Sequence, residues 1–293
     1  MSTAGQIIDR VYREYLYRPD DQPVRTTITA DVAVSDPSFS YVEAGLTTEE
    51  VGLFTVGTLV EVNQELMRIT GVSSNLLNVV RGESGTTAAA HSASSTLYVA
   101  PEFPRRVVAD AVSDSIVDLY PDLWHTESVI ESLGRDWIEV PAATTGVLSA
   151  MIQYGDVWLD AGVRFLHNFP DSRTNQAVQV EGWTSGRVML ELIQKFTRPA
   201  SEATVISDIE EDWEQLVVVG AVVNILSATD VDAHRQDYMT ETFQAQGYPV
   251  GSGERLSRAA IRLYEYKLDK AKRELARRYP IPVVQSGVTY GGF

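Results

Sequence analysis

Residues whose type and spacing could do chemistry fall in four places along the chain. Asp230, Asp232, His234 and Asp237 form a carboxylate–imidazole cluster of the kind that can ligate a divalent metal. Asp230 also suits a helix cap, and residues two apart, such as Asp232 and His234, fall on different faces of a helix. With no closing ligand motif, no metal ligand is assigned there. Asp156 and Asp160 flank Trp158 in an extended stretch. Paired acids are what a glycoside hydrolase uses, although acids beside turns are commonly just solvated. His91 ends the run Arg81-Gly82-x-x-Gly85-Thr86-Thr87-Ala88-Ala89-Ala90-His91. A lone imidazole among small residues reads as a structural hydrogen-bonder rather than a base. The glycines do not make a phosphate loop, because no Gly-Lys-Ser/Thr follows and no periodic helix opens. The fourth place is the basic stripe Arg255, Arg258 and Arg262. Neither a Gly-x-Ser-x-Gly elbow nor a His-Glu-x-x-His pair occurs. No catalytic, cofactor-binding or metal-binding residue is therefore assigned, and a non-enzymatic role without cofactors is expected.

The elements that hold these residues follow from periodicity. Between Gly57 and Val99, Val60 and Val62 alternate with Glu61 and Asn63, and Met67 and Ile69 alternate with Leu66, Arg68 and Thr70. Leu76 to Val80 forms a third short run, and Gly71 with Ser73-Ser74-Asn75 supplies turn residues. Period-two alternation over runs this short predicts half-buried strands. This stretch, with its Glu65-x-Met67-x-Ile69 hairpin followed by Arg81-Gly82-x-x-Gly85-Thr86-x-Ala88-x-x-His91, resembles small β-modules of tailed-bacteriophage virion proteins. The Arg81-Gly82-x-x-Gly85-Thr86 turn reads as a fold-forming element whose backbone needs glycine.

With 293 residues the chain has room for two or three modules. It has no cysteine, which excludes disulfides and thiolate zinc sites. No signal peptide is read at its start, and the longest apolar run, Leu216 to Leu226, is too short for a bilayer, which needs about 20 residues. A soluble protein made in the cytoplasm is expected. The net charge is −16. Residues 254–278 hold nine Lys/Arg and four acids, so that segment carries +5 and the remainder −21. An acidic body argues against ordinary nucleic-acid binding, and suits a solubilised particle, or a pore wall past which DNA slides without sticking.

In chain order, residues 1–24 read as an N-terminal helix, with Ile7, Ile8, Val11, Tyr12, Tyr15 and Leu16 at helical spacing and a stop at Arg18-Pro19. Residues 25–100 form a small β-domain, including an alternating run from Thr26 to Val34, and Glu49-Glu50 reads as a solvated acidic spot. Residues 101–122 make a connecting helix, opened by Pro104 and closed by Pro121. Residues 123–203 predict an antiparallel β-sandwich or barrel of five strands: 137–140, 147–154, 157–167, 177–183 and 187–196. Its aromatic residues, Tyr154, Trp158, Phe165, Phe169 and Trp183, are read as core, with a sugar-stacking face as the alternative. Residues 204–280 are a helical domain. It opens with a Ser207-x-x-Glu210 capping box and continues as an apolar helix, Trp213 to Ser227, buried in a core or a subunit interface. A polar helix follows from Asp230 to Gln246, then the basic helix Glu254 to Tyr279, with Leu256, Ile261, Leu263, Leu268 and Leu275 as its apolar stripe. Residues 281–293 read as an extended arm.

The fold class expected is thus α+β. The layout is similar to that of head-to-tail connector (adaptor) subunits, which sit beneath the portal of a tailed phage. That resemblance implies a virion protein, a twelve-fold ring of self-associated copies, contacts to the portal and to a tail-side neck or tail-terminator protein, and DNA passing through the lumen without sequence-specific binding or a membrane. Arg255, Arg258, Arg262, Trp213 and Val217 are the expected subunit-interface residues. Ile281, Val283, Val284, Val288, Tyr290 and Phe293 are the expected partner contacts, ordered only against a portal. The competing readings are a tail or baseplate protein whose β-module binds glycans, and a glycan depolymerase.

Overall fold

The computed structural model describes residues 2–17, 23–169, 172–228 and 253–279. It is an α+β protein with three hydrophobic cores. Helix α1 (Ala4–Val11) is capped reciprocally: Gln6 N donates to Thr3 Oγ1 while Gln6 Oε1 accepts from Thr3 N. It runs on as a wider π turn, Tyr12–Leu16.

The first β-module contains β1 (Arg25–Thr27), β2 (Ser38–Ser40), a one-turn helix α2 (Thr48–Val51), β3 (Leu59–Val62), β4 (Glu65–Ser73), β5 (Leu76–Val80) and β6 (Thr96–Val99). The strands pair antiparallel in the order β1-β6-β3-β4-β5-β2. The sheet curls until its two edges meet. Thr29 N donates to Ser40 O (2.9 Å) and Val42 N to Thr27 O (2.8 Å), around an Ile28–Tyr41 bridge. Joining the edges this way hides strand edges that would otherwise be open to pairing. Val60, Val62, Met67, Ile69, Leu77 and Leu97 fill the interior. The alternating run after Thr27 does not continue as a strand. Only Ile28 and Val32 make isolated bridges, because the chain turns where the curl closes.

The second β-module contains β7 (His125–Leu133), β8 (Trp137–Glu139), β9 (Thr144–Tyr154), β10 (Val157–Asp160), β11 (Val163–His167), β12 (Gln176–Val180) and β13 (Gly186–Gln194). It is a sandwich of a β10-β9-β13-β7 sheet on a β11-β12-β8 sheet, sharing one core. The single strand expected over 157–167 is two: the chain leaves one sheet after Asp160 and enters the other at Val163. Strand β7 was not expected at all. Of the aromatic residues expected in the core, only Phe165 is buried. Tyr154 is 68% exposed, and Trp158, Phe169 and Trp183 are half-buried near the sandwich rim.

Helices α3 (Arg105–Val117), α4 (Glu211–Ala228) and α5 (Gly253–Arg278) join α1 in the third core. The N-terminal, connecting and C-terminal helices therefore pack as one body. Helix α4 lies at its centre, with Leu216, Val217, Val218, Val219, Ala221 and Val222 buried around its circumference. Gly220 is where α3 comes closest. A Cβ there would lie 2.2 Å from Ser115 Oγ and 3.0 Å from the Tyr264 ring. The Ser207 capping box is not formed: α4 begins at Glu211, and Glu210 pairs with Arg278 at the far end of α5. On α5 the core contacts come from Ala260, Leu263, Ala271 and Leu275, whereas Ile261 faces outward. The polar helix expected over 230–246 lies outside the described residues.

Candidate functional site

Two polar clusters are built by these elements. The first gathers the motif residues of the first β-module. Glu65, at the start of β4 and buried, receives a two-pronged pair from Arg81 (Nε–Oε1 2.7 Å, Nη2–Oε2 2.8 Å). The same carboxylate accepts from Gly82 N (3.2 Å), Ala89 N (2.9 Å) and His91 Nε2 (2.8 Å). His91 Nδ1 faces the Asn63 amide at 3.5 Å, so the ring sits with Nε2–H toward Glu65. Arg81 also donates to the carbonyls of Ala33 (2.9 Å) and Asp36 (3.2 Å), tying the β1–β2 connection to the turn. Gly82 has φ +68°, and a Cβ there would meet the Thr86 carbonyl at 3.0 Å. This is a conformation and a space that glycine fits. Burial pushes the Glu65 carboxyl up, but the hydrogen bonds from Arg81, Ala89 and His91 outweigh it and hold the group below its ordinary value. The cluster is saturated from within the chain. Thus Arg81 is an ion-paired hub rather than a solvated turn residue, and His91 is the hydrogen-bonder its setting suggested.

The second cluster joins the β-module to the helical body. Pro104 precedes α3 and offers no side-chain cap. Glu61, on β3, supplies it instead, accepting from Arg105 N (2.8 Å) and Arg106 N (3.2 Å). The Arg105 guanidinium pairs with both oxygens of Glu202 (2.6–2.9 Å) and with Asp9 Oδ1 (2.8 Å). Gln64 donates to Glu202 Oε1 (2.6 Å), and Gly5 N to the Glu202 carbonyl (2.8 Å). Beside it lies a cleft of about 330 Å³ edged by Asp9, Tyr12, Arg25, Glu61, Tyr98 and Arg105. Burial raises the Glu61 carboxyl, outweighing the two amide bonds and the nearby Arg105 charge. Tyr12 is held protonated by burial, then by the Glu61 charge, and its hydroxyl donates to Phe103 O (2.8 Å). Raised carboxyl and phenol groups in a cleft are how acid–base sites are built. Here both already have partners inside the chain, and the arrangement works as a latch between modules.

The remaining sequence-level candidates are scattered. Asp156 sits in the β9–β10 turn and Asp160 at the other end of β10. Four residue steps, about 13 Å of strand, separate them, more than the ~5–10 Å between glycosidase carboxyls. Arg258 and Arg262 lie on the outward face of α5, while the Arg255 side chain falls outside the described residues. Trp213 and Val217 are corrected as interface residues: they are 2% and 0% exposed within the chain's own helical core, leaving no surface for a neighbour. Asp230, Asp232, His234 and Asp237, and the arm residues Ile281, Val283, Val284, Val288, Tyr290 and Phe293, lie outside the described residues. Among the described residues no group of three or more His, Cys, Asp or Glu could hold a metal, and no helix is long and apolar enough to cross a membrane. The latch residues Glu61, Arg105 and Glu202 were not legible as a site, because their contacts join positions 44 and 97 residues apart. A scan against protein-family models matches none, and a search of characterised proteins finds no significant similarity.

Proposed function

We propose that this chain is a structural subunit of a tailed-phage neck, forming a ring beneath the portal that joins head to tail and lets DNA pass. The observation that carries this is the outward face of α5. Arg258, Arg262, Arg273 and Arg277 are exposed there and outnumber the two exposed acids on that face, Glu265 and Asp269, and Ile261 and Tyr266, which is 57% exposed, lie beside them. A basic face with exposed apolar side chains, on a chain whose remainder is −21, is the complement of an acidic surface on a neighbouring copy. The saturated Glu65 and Glu61 clusters support a load-transmitting role, since they tie strand, turn and helix together by charge-assisted bonds. Portal contact is assigned to residues 281–293. Purified protein should form a ring visible by native mass measurement, and Arg258→Glu with Arg262→Glu should abolish it while the protein stays folded by circular dichroism. A wild-type protein that stays monomeric even with portal present would overturn the proposal.

A second reading is favoured by one observation. Tyr154 is exposed and meets the half-buried Trp183 ring at 6.3 Å on the sandwich rim, the surface a glycan-binding tail protein would present. Binding on a sugar array that Tyr154→Ala removes would favour that reading over the neck.

A further inference from the structure

The four-stranded sheet ends in β7, and this edge is unlike the guarded edges of the first module. Among the described residues β7 pairs only with β13, through nine consecutive antiparallel positions with no register shift. It has no proline, lysine or bulge, and of the devices that blunt an edge it carries only the charges of Glu127 and Glu131. Its outer face, Thr126, Ser128, Ile130 and Ser132, is polar except for Ile130, which is half exposed, while Val129 and Leu133 turn toward the sandwich core.

Helix α5 delivers the chain to this edge. Tyr279, the last described residue, packs its ring on Trp124 (centroids 5.0 Å) and its hydroxyl lies 3.3 Å from Thr126 Oγ1, at the start of β7. Residues 280–293 therefore begin beside an open strand. From Val284 their sequence partly follows the period of a strand: Val284, Val288 and Tyr290 share one parity, broken by Ser286, and Gln285, Gly287 and Thr289 share the other. The apolar set would extend the core-facing side beside Val129, and the polar set the outer side beside Thr126 and Ser128. Eleven residues, 280 to 290, reach about 36 Å when extended, against roughly 23 Å from Thr126 to Leu133. Three or four residues are thus left to turn the chain before pairing starts.

We propose that the open edge of β7 receives the chain's own residues 283–290 as a fifth, parallel strand of this sheet. The chain's own segment is the occupant because its attachment point lies at the edge, which gives it a high effective concentration over any segment arriving from outside. The proposal rests on where α5 ends and not on the neck reading. If both hold, a portal would take the segment from β7.

Hydrogen exchange of β7 amides in the full chain and in a chain stopped after Tyr279 tests this. Stopping there should speed exchange along the outer edge of β7 about tenfold or more and leave β9 and β13 unchanged. Val288→Pro, which removes one ladder donor, should give part of the same effect in the full-length chain. Equal β7 exchange in the full and shortened chains overturns the proposal. So does protection that disappears on dilution, which would make the occupant another copy.

Discussion

Glu65 accepts five hydrogen bonds from four residues at a position where the sequence shows only one acid among apolar neighbours. Removing one member of a buried ion pair strands the other charge. Arg81→Met should therefore cost about 3–5 kcal/mol and His91→Ala about 1–3 kcal/mol, read as shifts in urea midpoint. The two buried glutamates carry opposite pH signs. The Glu65 carboxyl is lowered in the fold, so its contribution is present above the ordinary carboxylate range and is lost as pH falls through its folded value. That of Glu61 is raised, so its contribution is present below the ordinary range and is lost as pH rises through its folded value. Glu65→Gln should flatten the loss of stability below about pH 5, and Glu61→Gln should remove the decline as pH rises above the ordinary carboxylate range. The motif's residue types were legible in the sequence. Their meeting point on Glu65 was not, because its partners lie 16 to 26 residues further along the chain, across a hairpin.

The latch at the start of α3 shows how one element depends on another. Glu61→Ala leaves the first amides of α3 without an acceptor and should lower stability by about 1–2 kcal/mol, measured by thermal or urea unfolding. Gly220→Ala should cost about 1–3 kcal/mol or more, since the added methyl meets a Ser115 hydroxyl that is itself fixed on the Val217 carbonyl. Elements whose period matched their burial were readable from the sequence. Strand β5 alternates cleanly, and α4 is apolar on every side because α1, α3 and α5 surround it. Strand β7 was hidden because its core-facing set mixes Glu127 and Glu131 with Val129 and Leu133, so an edge strand shows no clean alternation. The aromatic residues of the second module misled for a related reason. The three-stranded sheet is too narrow to cover β10, so Tyr154, Val157 and Leu159 stay exposed on the rim.

At the scale of the whole molecule, charge and burial divide the surface into an acidic body and one basic, partly apolar helix face. That division was readable from counts of charged residues alone, whereas which side of α5 faced outward needed its packing against α4. If copies associate through this face, assembly should weaken as salt rises, and reversing Arg258 and Arg262 should cost at least about a hundredfold in association, read by sedimentation over a concentration series. The central claim, a ring in the neck, is tested most directly by tagging the protein in the intact particle and locating it by electron microscopy. A neck subunit should appear as a closed ring of density between portal and tail. Density at the baseplate, the tail fibres or the outer capsid would contradict it.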